Sequence, residues 1–208
     1  KRMVISEKPL FNDGLTIANN EVFVNLPLRI NFAGGWTDTP PYCNENGGVV
    51  LNTAVRVKGT KPIHASLTKL DKKVIVLNSK DLNSHLETTD ISELQITGNP
   101  YDNFALQKAV LIACGVIPEK GGNLESILNR LGSGFEFNIA VDNIPKGSGL
   151  GTSSILSAAC VKAVYEFFGI KHTNEDIYYS VLCVEQIMST GGGWQDQVGG
   201  IFPGLKLI

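Results

Sequence analysis

Pro145-Lys146-Gly147-Ser148-Gly149-Leu150-Gly151-Thr152-Ser153-Ser154 is the stretch on which the reading of this chain turns. Phe135, Phe137, Ile139 and Val141 alternate with non-core residues just before it, the pattern of a strand with one buried face. An amphipathic helix follows from about Ser153 to Phe168, with Ile155, Ala159, Ala163 and Phe167 along one face and Gly169 as its stop. A strand, a glycine loop and a helix in that order make a phosphate cradle. Gly147, Gly149 and Gly151 let the backbone approach a ligand closely, and the helix they open aims unpaired N–H groups and a positive dipole end at an anion. Thr152, Ser153 and Ser154 put hydroxyls on the first turn, where they can cap, bind phosphate or hold a metal.

Two commoner glycine loops do not fit. A Walker A loop requires lysine before its final hydroxyl residue, and here Gly151 runs directly into Thr152. The dinucleotide fingerprint spaces its glycines as Gly-x-Gly-x-x-Gly near the start of a βαβ unit, whereas this loop reads Gly-x-Gly-x-Gly late in the chain. A bare glycine-rich turn with a hydroxyl cap is common without any ligand. Pro145, Leu150 and the triple hydroxyl favour phosphate.

Outward from the loop, strands come first and helices later. Val22 to Leu26 and Leu28 to Ala33 read as strands on either side of Pro27, then Thr39-Pro40-Pro41 as a loop, then Val49 to Val57, Pro62 to Leu67 and Lys73 to Leu77 as further strands. The expectation is one mainly antiparallel sheet packed with helices, an α+β fold without a repeated βαβ rhythm. Asp102 is expected to start a helix that stops near Gly115, Asn123 another ending near Gly132, and Thr173 with Asp176 to form a capping pair for a last helix through Glu185 to about Met188.

The chain has 208 residues, 43% of them hydrophobic, and a net charge of −2. It can bury a substantial core, and it lacks the basic character that draws nucleic acid or an anionic membrane. No apolar run approaches the roughly 20 residues that span a bilayer, and the N-terminus lacks the apolar core of a signal peptide. A cytoplasmic location is expected, with no nucleic-acid or membrane partner. Cys43, Cys114, Cys160 and Cys183 form no Cys-x-x-Cys pair and share no ligand spacing with His64, His85 and His172, so reduced, mostly buried thiols are expected.

The loop follows the pattern Pro-x-x-x-Gly-Leu-Gly-Ser/Thr-Ser, and in this the chain resembles the GHMP small-molecule kinases, which act on galactose, homoserine, mevalonate and phosphomevalonate. Pro27-Leu28-Arg29-Ile30-Asn31-Phe32-Ala33-Gly34-Gly35-Trp36-Thr37-Asp38 is similar to the family's sugar-side first motif, and Gly191-Gly192-Gly193-Trp194-Gln195-Asp196-Gln197 to its catalytic-aspartate segment. The Phe-Ala-Gly-Gly-Trp-Thr-Asp-Thr-Pro-Pro and Thr-Gly-Gly-Gly-Trp-Gln-Asp-Gln-Val-Gly-Gly forms look most like the L-fucose kinase branch, which includes fused fucokinase/GDP-fucose pyrophosphorylase enzymes. The resemblance implies that residues 21–208 are the N-terminal, ATP-binding domain of such a kinase, and that 1–20 lead in from an upstream region, possible in a pyrophosphorylase fusion. It also implies that the family's C-terminal domain, which closes over the site, is not in this chain, so that the chain alone is inactive.

By resemblance, Pro145, Lys146, Gly147, Ser148, Gly149, Leu150, Gly151, Thr152, Ser153 and Ser154 hold the ATP phosphates. Ser153 and Glu185 hold Mg2+, Glu185 lying eleven residues before Asp196. One hydroxyl and one carboxylate suit a magnesium ion that keeps its waters and takes phosphate oxygens. Asp196 corresponds to the proposed catalytic base, and Arg29 to the arginine that steadies it or the transferred phosphoryl group. The sugar falls to Gly35, Trp36, Asp38, Gly192, Gly193, Trp194 and Asp196. Galactose kinases carry Gly-Glu-His-Thr-Asp where this chain has Gly34-Gly35-Trp36-Thr37-Asp38, which disfavours galactose. Broad indole plates suit a methyl group, and L-fucose, a 6-deoxy sugar, has one. The implied reaction is L-fucose to L-fucose 1-phosphate. A heptose-phosphate 1-kinase and a sugar- and ATP-sensing protein without turnover are the alternatives. Read without the resemblance, Glu185 is a solvated helix residue, Arg29 a strand-edge ion pair, Asp196 a turn carboxylate, and both tryptophans core.

Overall fold

The computed structural model describes residues 11–96, 98–99, 101–145, 148–190 and 193–208. The strands β1 (Glu21–Leu26), β2 (Leu28–Ala33), β3 (Leu51–Val55), β4 (Ile63–Leu70), β5 (Ile75–Ser79) and β6 (Ser84–Thr88) occupy the first part, with a short helix α1 (Tyr42–Asn46) between β2 and β3. Helices α2 (Ala105–Ala113) and α3 (Leu124–Leu131) precede β7 (Gly134–Val141), and α4 (Thr152–Phe167), α5 (Asn174–Ile187), α6 (Gln195–Ile201) and β8 (Leu205–Leu207) complete the order.

The α+β class is as expected, but the strands form two sheets rather than one. Five strands lie in the order β1-β4-β7-β5-β6, and three in the order β2-β3-β8. The division falls at Pro27. With no N–H to give a ladder and a fixed φ, it ends β1 at Leu26 and lets β2 begin at Leu28 in the other sheet. Most pairings are antiparallel, while β5 and β7 run parallel. A parallel pair needs a crossover, and α2 and α3 supply it.

In β7, Phe135, Phe137 and Ile139 point into the core while Glu136 and Asn138 do not, which is the period-two pattern read from the sequence. Across β4 and β1 lies α4. The sequence suggests one apolar stripe on this helix, yet Leu156, Ala158, Cys160, Val161 and Val164 are buried along with Ile155, Ala159, Ala163 and Phe167. The reason is its position: α2, α5 and α6 pack on the sides that the sheet leaves open.

Capping follows the sequence at α3 and α5, whereas α2 has Phe104 at its N-cap with no side-chain cap, rather than the expected Asp102. Asn123 accepts from Ser126 N at 2.8 Å to open α3, Gly132 closes it in the left-handed region, and Thr173 with Asp176 forms the full capping box of α5. Asp102 accepts from Phe104 N at 2.9 Å just ahead of α2 and pairs with Lys108 at 2.7 Å. The expected lead-in is in part integral: Leu15 is buried, and Asn12 N and Ala18 N each donate at 2.9 Å, to Gly115 O and Phe167 O. The four cysteines form no disulfide, and three of them are buried. No described helix is long and apolar enough to cross a membrane.

Candidate active site

Three segments distant in sequence meet at the N-terminus of α4. Gly149 and Gly151 have φ of 71° and 73°, and Gly151 occupies the N-cap position with no side-chain cap. The first-turn N–H groups therefore face outward without a capping side chain, which is the donor set an anion requires. Pro145 and Ser148 are exposed, and Leu150 packs against the core. Lys146, Gly147 and Gly192 lie outside the described residues.

Arg29, on β2, reaches this loop from the second sheet. Its Nη1 donates to Gly149 O at 2.7 Å. Its Nε donates to Asp196 Oδ1 at 2.7 Å, and its Nη2 donates to the same oxygen. One planar guanidinium thus ties the glycine loop to the carboxylate, a task for which lysine lacks the fork geometry. The arginine side chain is 9% exposed and the aspartate side chain 27%, so the buried partner anchors and the aspartate stays open to solvent. A Cβ at Gly151 would stand 2.9 Å from Asp196 Oδ1, so a residue without a side chain is required for the loop to lie against that carboxylate.

Glu185, near the end of α5, stands on the other side of the same corner. Its Oε1 accepts from Ser154 Oγ at 2.7 Å and from Gln197 Nε2 at 2.8 Å. Burial, helped by the nearby charge of Asp196, pushes its pKa above the ordinary glutamate value, and the bonds from Ser154 and Gln197 oppose this. The hydroxyl beside Glu185 is that of Ser154, where Ser153 was expected. Successive helix positions are rotated by about 100°, so only one of the three hydroxyls can face α5. Ser153 is exposed and points elsewhere.

Ser153 and Thr152 line a cavity of about 670 Å³ together with Leu156 and Met188. Leu82, Asn103, Leu106, Ile139 and Ile144 form much of the remaining wall. A mostly apolar pocket of this volume with a few polar groups, opening beside the N-terminus of α4, has the character of a small-molecule site. Sequence reading did not find this pocket, because its walls come from the β5–β6 hairpin, α2 and the end of β7.

The sugar-side residues divide. Trp36 is 74% exposed, Trp194 is half-buried at the start of α6, and Gly35 packs beside Asn31 and Gln195. Exposed Trp36 does not fill a core. Asp38, expected to accept from sugar hydroxyls, is instead fully buried, and its Oδ2 accepts from Gln195 N at 2.8 Å. The backbone of Gly193 lies against its carboxylate so closely that no Cβ would fit. Asn31 and Asn52, paired across β2 and β3, and Gln195 were missed by the sequence reading. For Asn31 and Asn52 the signal was available: amides inside otherwise apolar strands. Among the described residues no group of three or more His, Cys, Asp or Glu is placed to hold a metal.

The fold and this corner agree with the family comparison: residues 120–204 of the chain match the family described as GHMP kinases N terminal domain. Its similarity runs to the bifunctional fucokinase/GDP-fucose pyrophosphorylase of Arabidopsis thaliana, 38% identical over 88% of this chain, and to the L-fucokinase/L-fucose-1-P guanylyltransferase of Bacteroides fragilis, 39% identical over 90%. The chain spans 16% and 20% of the lengths of those two proteins. In structure it resembles a D-glycero-D-manno-heptose 1-phosphate kinase from Bacteriodes thetaiotaomicron, with a TM-score of 0.67 at 24% identity, over 89% of this chain and 55% of that one.

Proposed function

We propose that this domain is the nucleotide-binding half of a sugar 1-kinase that transfers the γ-phosphoryl group of ATP to the anomeric hydroxyl of L-fucose, within a longer polypeptide. The observation that carries the reading is the Arg29 bridge, which joins Gly149 of the phosphate loop to Asp196. In the reaction the anomeric oxygen bonds to the γ-phosphorus, the bond from that phosphorus to the β-phosphate oxygen breaks, and the hydroxyl proton passes to Asp196. Arg29 fixes the orientation of that carboxylate, and its permanent charge faces the side on which negative charge develops. The first-turn N–H groups of α4 orient the phosphates in line, and the cavity beside Ser153 takes the nucleoside.

Magnesium fits the donor set at Glu185 and Ser154, since a half-buried carboxylate with a raised pKa gains from an adjacent hard cation. That ion would neutralise phosphate oxygens as they leave. Ser153, exposed at the cavity rim, stays available to the phosphates or to the same ion. Support for L-fucose comes from the two fucokinase relatives and from exposed Trp36, an apolar plate where galactose kinases carry a histidine.

The test is to incubate the full-length protein with ATP, magnesium and, in turn, L-fucose, D-galactose and a heptose 7-phosphate. The expected result is efficient phosphorylation of L-fucose. Preference for the heptose phosphate would assign the substrate to the other branch, and sugar binding without turnover would make the protein a sensor.

A further inference from the structure

Helix α6 begins without a side-chain cap from its own N-cap residue, Trp194. Its first N–H, that of Gln195, is taken by Asp38, which lies 157 positions upstream. The Gln195 carbonyl accepts from Asn52 Nδ2 at 3.0 Å, and Gln195 Oε1 accepts from Asn31 Nδ2. Asp38 and Asn52 are 0% exposed and Gln195 4%. The backbone N–H, the carbonyl and the side-chain oxygen of a single residue are thus each held by a different residue of the β2–β3 region. The next residue is Asp196.

We propose that Asp38 is a positioning residue, which acts through Gln195 to hold Asp196 against the phosphate loop. The inference rests on the kinase reading above. Burial argues for it: Asp38 has one oxygen on the helix and the other enclosed without a partner among the described residues, an arrangement that costs free energy and is retained where a charged acceptor is needed. A carboxylate gives a helix N–H a stronger bond than an amide does, and it suits the positive end of the helix. Because Asp196 sits one residue beyond the clamp, loss of the cap would let the carboxylate swing out of line, and a displacement of that kind lowers turnover far more than substrate affinity.

The experiment measures kcat and the KM for L-fucose, with saturating ATP and magnesium, in full-length wild-type protein and in Asp38→Ala, Asp38→Asn and Gln195→Leu. The expectation is that Asp38→Ala and Gln195→Leu each lower kcat by about tenfold or more while KM stays within about threefold, and that Asp38→Asn, which can still accept from Gln195 N, recovers part of the loss. A raised KM with unchanged kcat in Asp38→Ala would make Asp38 a sugar ligand and overturn the proposal. So would wild-type kcat in Gln195→Leu. Should Asp38→Ala not fold, the milder Asp38→Asn and Gln195→Leu decide the question on the same two criteria. A wild-type protein that phosphorylates none of the sugars overturns the kinase reading itself, which keeps the two failures distinct.

Discussion

Arg29 and Asp196 show how much a residue's partners add to its identity. Either could be an ordinary surface charge, but a buried arginine whose guanidinium is shared between a loop carbonyl and a carboxylate is a fixed device. Because Asp196 is proposed to take the hydroxyl proton in the transition state, Asp196→Asn in the full-length protein is expected to lower kcat by about a hundredfold or more with little change in sugar KM, read in a coupled ATPase assay. Glu185 gives a pH test. Its pKa is raised by folding, so its protonated form favours the fold: this stability is fully present below the ordinary value of 4.5 and is lost as pH rises through the raised value. In metal-free buffer the thermal midpoint of wild-type is expected to fall across that window relative to Glu185→Gln, and magnesium is expected to restore it at the upper end. A parallel pH dependence in the two proteins would remove Glu185 from the balance. At this scale the loop hydroxyls, Arg29, Glu185 and Asp196 were legible as motif positions. That Ser154 faces Glu185 was not, because helical rotation relative to a neighbouring helix is a tertiary property.

At the scale of elements, the helix that carries Asp196 was the hardest to read. Residues 195–201 contain Gly199 and Gly200, and glycine inside a helix costs about 1 kcal/mol relative to alanine, so local propensity argues against α6. Packing overrides it. A Cβ at Gly199 would stand 2.7 Å from Arg29 Cβ, and one at Gly200 2.6 Å from Ile155 Cγ1, so the glycines let α6 close on both β2 and α4. Gly199→Ala is therefore expected to destabilise the protein by about 1–3 kcal/mol through overpacking, measured by urea unfolding, and to lower kcat because Arg29 is displaced. A stabilised variant with full activity would mean that the helix is free to shift. The elements with strong periodicity or clear caps, β7, α3, α4 and α5, were legible within a residue or two. The second sheet was not, since alternation identifies a strand but not its partner, and Pro27 marks a break without saying that the chain changes sheets.

On the scale of the whole molecule, a helix layer lies on the five-stranded sheet, and α6 links it to the three-stranded sheet that carries Arg29. The outer face of the smaller sheet is apolar and open: Phe32 is 63% exposed, Leu205 65% and Leu207 73%. Exposed apolar surface of this kind promotes association, so the isolated 208-residue domain is expected to self-associate on size exclusion, and Leu205→Lys with Leu207→Lys is expected to shift it toward monomer. The central claim is that the corner formed by Arg29, Gly149 and Asp196 directs phosphoryl transfer to the anomeric hydroxyl of L-fucose. Phosphorus and proton NMR of the product made by the full-length protein from L-fucose, ATP and magnesium tests it most directly. The account predicts a single sugar phosphate with phosphorus coupled to the anomeric proton, formed by wild-type and not at a comparable rate by Asp196→Asn. Phosphate on another hydroxyl, or equal rates from the two proteins, would contradict it.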